Sequence, residues 1–202
     1  RLNAPLDEFR AVRRKLDQAG IILYAYNYSM RNDFTDAEIK RGFEMAGALG
    51  VTRLTASANV STAARIDPFA EAAHVNVAMH NHSRIHEDEF ATPEDIGTAM
   101  RGKSEFICIN LDIGHFWAAN FDPVDYLDKH HTKIATLHIK DRKKNQGPNM
   151  PFGQGDTPIR EVLQLLKTKQ YLIPAMIEYE YKGDDTLVEM GKCVEYCKKA
   201  IG

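Results

Sequence analysis

The chain has 202 residues, a net charge of −2, and 44% hydrophobic residues. That is long enough for one domain with a real core and ordinary for a globular protein. A near-neutral charge carries no global nucleic-acid footprint, and no apolar run reaches the length of a membrane span. The chain opens at Arg1, not Met. The expected location is cytoplasmic, with an upstream export signal left open. Cys108 falls in an apolar run, and Cys193 and Cys197 lie four apart with no C-x-x-C motif, so all three read as reduced thiols.

Helix-type and strand-type patterns alternate in chain order. Residues 6–19 have helical periodicity and stop at Gly20. Residues 21–29 are strand-like and aromatic, 35–49 helical, 51–58 a strand, and 61–74 a short helix. A strand over 75–82 is followed by a helix over 92–100, with Thr92 as N-cap and Pro93 in the first turn. Strand 106–112, helix 123–129 and strand 134–140 come next. A polar loop over 141–157 precedes helix 158–169, strand 173–180 and a closing helix over 186–201. Strands buried on both faces read as continuous apolar runs, as these do, so the alternation predicts a parallel sheet covered by helices.

Six strands are counted, whereas a (β/α)8 TIM barrel has eight and about 250 residues. The expectation is such a barrel as a single domain over 1–202, lacking its first one or two strand–helix units, with an open doubly wound sheet as the other arrangement. What favours the barrel is the way four successive strands end. They terminate in His80-Asn81-His82, Asn110-Leu111-Asp112, His138-Ile139-Lys140 and Glu178-Tyr179-Glu180. The C-terminal strand ends are where barrels do chemistry.

Side chains alternate along a strand, so His80 and His82 share a face, as do Asn110 and Asp112, His138 and Lys140, and Glu178 and Glu180. Buried carboxylates and imidazoles are costly unless paired or metal-bound. Oxygen from Asp112 and Glu178 with nitrogen from His80 and His138 makes a donor set for Mn, Co, Zn, Fe or Mg rather than calcium. Lys140 at a strand mouth could grip a substrate oxygen. Tyr26 lies between Tyr24 and Tyr28 on one strand face, as a sugar-stacking floor or as core. Trp117 follows the D-x-x-H segment and could wall the site. His86 sits in an acidic loop and reads as exposed, and Lys143 and Lys144 as solvated. No Gly-rich loop has P-loop or Rossmann spacing, so no nucleotide cofactor is expected.

The motifs LDIGHFW (111–117), LHIKDR (137–142), PFGQGD (151–156) and MIEYE (176–180) resemble those of the xylose isomerase-like TIM barrels, the sugar phosphate isomerase/epimerase superfamily. The resemblance runs over about 6–200. It implies a divalent metal held by Asp112, His138 and Glu178, substrate contact by His115, and acid/base work by Glu178. Where that family usually carries a Glu as a further ligand and second proton-transfer carboxylate, this chain has His80. An imidazole can bind metal, but it cannot simply replace a carboxylate bridging metal and substrate.

The first reading is therefore a metal-dependent isomerase or epimerase of a small carbohydrate, working through an enediolate, with Glu178, His115 and Lys140 catalytic and His82, His115, Lys140, Tyr26 and Trp117 on the substrate. The His-rich strand end is also similar to the inosose dehydratase branch, so a keto-polyol dehydratase is the alternative, with His82, His115 or Lys140 as the acid. Two further readings are a metal-dependent endonuclease, disfavoured by the net charge, and a barrel that only binds sugar. The expected partner is a small sugar, with no nucleic acid and no membrane, and pairing of two copies is the expectation from barrels of this kind.

Overall fold

The computed structural model describes residues 2–202. Eight α-helices and six strands alternate among the described residues. The chain forms two compact units: residues 1–80 with 94–108, and 81–93 with 109–202.

In the first unit, α1 (Leu6–Gln18) precedes β1 (Tyr26–Asn27), α2 (Asp36–Leu49), β2 (Arg53–Ala56), α3 (Ala63–Ala73) and β3 (Asn76–His80). The strands are parallel neighbours in chain order. Thr35 starts α2 through a full capping box with Glu38, and Gly50 ends it at φ 67°. The capping box satisfies two orphan N–H groups, and a left-handed terminus suits a residue without Cβ. The core of this unit includes Ile39, Ala46, Leu54, Ile66 and Val77, all fully buried. Most of α4 (Pro93–Met100) also belongs here.

The second unit contains most of β4 (Ile107–Asp112), then α5 (Ile113–Ala118), α6 (Pro123–His130), β5 (Ile134–Ile139), α7 (Ile159–Lys169), β6 (Ala175–Ile177) and α8 (Thr186–Ile201). β4, β5 and β6 are again parallel and consecutive. The register pairs Asp112 with His138 and His138 with Met176. All six residues of β4 are buried, as expected of a strand covered on both faces.

The polar loop 141–157 is ordered by its first residue. Buried Asp141 accepts from the backbone N–H groups of Gly153 (2.8 Å), Gly155 (2.9 Å) and Thr157 (3.2 Å). Burial pushes its carboxyl up from the ordinary aspartate value, and the three N–H donors oppose that shift. A Cβ on Gly155 would overlap the Asp141 carboxylate, so the loop closes only with glycine there.

Two sequence expectations change. Residues 113–118, read only as part of a motif, form α5. The strands expected over 21–29 and 173–180 shorten to Tyr26–Asn27 and Ala175–Ile177.

Candidate metal centre in the second unit

Asp112 is the last residue of β4 and the N-cap of α5. Its Oδ1 accepts the His115 backbone N–H at 2.6 Å. Its backbone is clasped by the buried amide of Asn81, which accepts from Asp112 N at 2.8 Å and donates to Asp112 O at 3.1 Å. The strand end is thereby fixed on both its chain and its side chain, and Oδ2 faces Lys140 at 3.3 Å and His138 Nδ1 at 4.0 Å.

His138 lies opposite Asp112 on β5. Its Nε2 accepts from Asn110 Nδ2 at 3.1 Å, so Nδ1 carries the N–H and donates to Glu178 Oε2 at 2.7 Å. A metal at Nδ1 would displace that proton. Glu178 follows β6, and its N–H continues the ladder to Ile139 O at 3.0 Å.

Asp112, His138 and Glu178 each offer a ligand atom within 4.8 Å of the others. Around an ion bound at about 2.0–2.2 Å, two ligand atoms can stand up to roughly 4 Å apart. Two carboxylates and one imidazole at this spacing fit a divalent cation after a small contraction. His80, expected as a further ligand, is the buried last residue of β3 in the first unit.

Lys140 sits among these groups, fully buried. Its Nζ lies 2.6 Å from Glu180 Oε2, 3.2 Å from Glu178 Oε2 and 3.0 Å from His115 Nε2. Burial alone would lower its pKa, but Asp112, Glu178 and Glu180 outweigh that and hold it above the ordinary lysine value. The backbone and β-carbon of Lys140 press against Gly114. A Cβ there would come within 2.6 Å of Lys140 O, so Gly114 is what lets α5 start this close to β5.

His115 is held between two cations. Arg142 Nη1 lies 2.7 Å from Nδ1. A guanidinium only donates, so Nδ1 accepts and a neutral ring carries its N–H on Nε2, 3.0 Å from the Lys140 ammonium. His82 packs edge-on to the His115 ring at 5.5 Å, with its Nδ1 3.9 Å from Glu89. Trp117, on α5, has the ammonium of Lys144 3.8 Å over its ring, a cation–π contact that gives Lys144 more than the solvated role read from sequence. Tyr26 has a packing role in the first unit: its ring is edge-on to Phe9 of α1, and its hydroxyl meets the Met45 sulfur of α2 at 3.7 Å.

The structure thus brings Asp112, His115, His138, Lys140, Glu178 and His82 together within one unit. Sequence reading missed the roles of Asn81, Asn110 and Arg142. Asn110 was visible as a polar residue on the Asp112 face, whereas the other two come from aperiodic loops.

A model of the xylose isomerase-like TIM barrels matches residues 2–196. The chain belongs to that family, and its six parallel strands with their helices are six of the barrel's eight strand–helix units. No curated protein matches it in sequence. Among solved structures, it is similar to an uncharacterised protein from Parabacteroides distasonis ATCC 8503 (24% identity, TM-score 0.69, 98% of this chain and 78% of that one). It is also similar to 3-keto-D-glucoside 4-epimerase from E. coli (12% identity, TM-score 0.79, 96% and 85%). A third is the IolI protein with a bound zinc atom (18% identity, TM-score 0.75, 98% and 82%). At these identities the likeness is one of fold.

Proposed function

We propose that this chain is a divalent-metal-dependent isomerase or epimerase of a small carbohydrate. The observation that carries the reading is the convergence of Asp112, His138 and Glu178 at strand ends around the buried Lys140 ammonium. We assign the ion to Asp112, His138 and Glu178. It would be Mn, Co, Zn, Fe or Mg. Bound there, such an ion would polarise the carbonyl and hydroxyl oxygens of the sugar. The zinc found in IolI and the epimerase activity named for the E. coli neighbour agree with this reading.

Glu178 is the group that moves the carbon-bound proton. It is partly open to solvent, and its Oε2 accepts a hydrogen bond from His138 and pairs with the Lys140 ammonium at 3.2 Å. The Lys140 ammonium balances negative charge developing on the enediolate oxygen. His115, with Nε2 toward Lys140, exchanges a proton with the adjacent hydroxyl. His82 and Trp117 contact the substrate beside it. Returning the proton to the neighbouring carbon gives isomerisation, and returning it to the other face gives epimerisation.

The same arrangement supports a second reading, dehydration of a keto-polyol. Glu178 would take the carbon proton, the C–O bond to a β-hydroxyl would break, and Lys140 or His115 would protonate the departing oxygen. The pairing of one carboxylate base with two nitrogen acids favours this alternative. Incubating the protein with added Mn and a panel of ketoses in deuterated water separates the readings. Deuterium in a recovered sugar marks isomerisation or epimerisation, and loss of one water marks dehydration. Glu178→Gln should lower either rate by at least about a hundredfold, the usual scale of general acid–base catalysis. No exchange and no water loss from any sugar would contradict both.

A further inference from the structure

Next to the candidate metal centre, and inside the same unit, lies a cleft of about 570 Å³ lined by Ser83, Arg84, Ile85, His86, Arg142 and Gln146. Its charged lining is cationic, with no carboxylate among the lining residues. Arg142 is fixed in place. Nη1 contacts Ser83 Oγ and His115 Nδ1, both at 2.7 Å, and Nε and Nη2 both donate to Gly147 O, at 3.1 and 2.6 Å. Gln146 locks the same wall by donating to Ser83 O at 2.6 Å. One of the five guanidinium N–H groups remains for a ligand.

Arg84 is different. Its side chain is exposed, it makes no ion pair with a carboxylate among the described residues, and it lines the same cleft as Arg142, whose own charge is disfavoured first by burial and least by Arg84, against the pull of Asp112 and Glu180. Two guanidinium groups facing one cleft repel each other unless an anion lies between them. His86 lines the same cleft.

We infer that this cleft binds an oxyanion, phosphate or carboxylate, carried by the substrate. This rests on the proposed sugar chemistry and narrows it to a phosphorylated sugar or a sugar acid. The anionic end would be gripped by Arg84 and Arg142, while the reacting carbons lie at the Asp112–His138–Glu178 cluster. Arg142 donates to His115 Nδ1, and Lys140 Nζ lies 3.0 Å from Nε2 on the other side of the ring, so His115 spans the two ends. Two N–H groups of Arg84 and the remaining N–H of Arg142 on one oxyanion give both affinity and register.

The test is binding of inorganic phosphate and of acetate to the whole, metal-free chain, so that a bound ion cannot account for anion affinity. Metal content after loading is measured in parallel. Phosphate or acetate should bind wild type and bind Arg84→Gln about tenfold more weakly, the loss expected for one charge-assisted hydrogen bond. Arg101→Gln, an exposed arginine of the first unit, should bind like wild type. Tighter phosphate than acetate assigns a phosphate ester, and the reverse assigns a sugar acid. Neither anion binding, or equal binding to Arg84→Gln, overturns the inference. If the chain takes up metal but no anion, only the oxyanion site falls. If it takes up anion but no metal, the metal-dependent reading falls and the anion site stands.

Discussion

Lys140 is the residue on which the electrostatics of the centre turn. It is the cation set among Asp112, Glu178 and Glu180. Removing one partner of a buried pair costs about 3–5 kcal/mol. Glu178 and Glu180 reach solvent, which screens part of this, so Lys140→Met should destabilise the metal-free chain by roughly 3 kcal/mol. A divalent ion replaces the missing charge, so added Mn should restore much of the loss in chemical denaturation. A variant as stable as wild type without metal would show that the ammonium does not balance these carboxylates. At this scale the candidate ligands Asp112, His138 and Glu178 were legible because strand parity puts every second residue on one face, and a polar residue ending an apolar run stands out. Asn81 and Arg142 were not legible. Their roles come from chain reversals that bring loop residues onto Asp112 and His115, and no periodicity marks such contacts.

Among the elements, the loop 141–157 and the start of α8 are each held by one buried acid. Asp141 gathers three backbone N–H groups, and Asp141→Asn leaves at least one unpaired. That should cost about 1–3 kcal/mol despite the relief of a buried charge. Limited proteolysis should then cut first within 142–156, and unchanged protection there would count against the strap. Glu189 of α8 accepts from Lys192 Nζ at 2.6 Å and from the Tyr181 hydroxyl at 2.7 Å, tying the chain just after Glu180 to the helix. Lys192, then Tyr181, hold its carboxyl below its ordinary value of 4.5.

A depressed carboxylate adds stability above its unfolded pKa and loses it as pH falls through the folded one. The stability gap between wild type and Glu189→Gln should therefore be full at neutral pH and shrink below about pH 4.5. A gap independent of pH from neutral to acid would contradict the ion pair. Element types were mostly legible, and strand lengths were not. The aromatic alternation over 21–29 and the apolar run over 173–180 promise long strands. Yet Tyr26–Asn27 and Ala175–Ile177 are the parts that join the ladder, each beside one partner strand among the described residues. Helix α5 was hidden because six residues, Ile113–Ala118, are too few to show a helical period.

For the molecule as a whole, alternation of apolar strands with amphipathic helices announced a parallel α/β fold, and the family model bears out a xylose isomerase-like TIM barrel. What could not be read was the reaction, because one barrel hosts many chemistries and the three solved neighbours named above share 24%, 12% and 18% of residues with this chain. His80 sharpens the point, since it stands where the resembling family usually places a Glu. No helix among the described residues is long and apolar enough to cross a membrane.

The central claim is a divalent ion at Asp112, His138 and Glu178, and elemental analysis of the purified chain beside Asp112→Ala tests it most directly. About one Mn, Co, Zn, Fe or Mg per wild-type chain, lost in Asp112→Ala, is the predicted result. Wild type that takes up no metal after incubation with Mn, Co and Zn, or Asp112→Ala that retains it in full, would contradict the account.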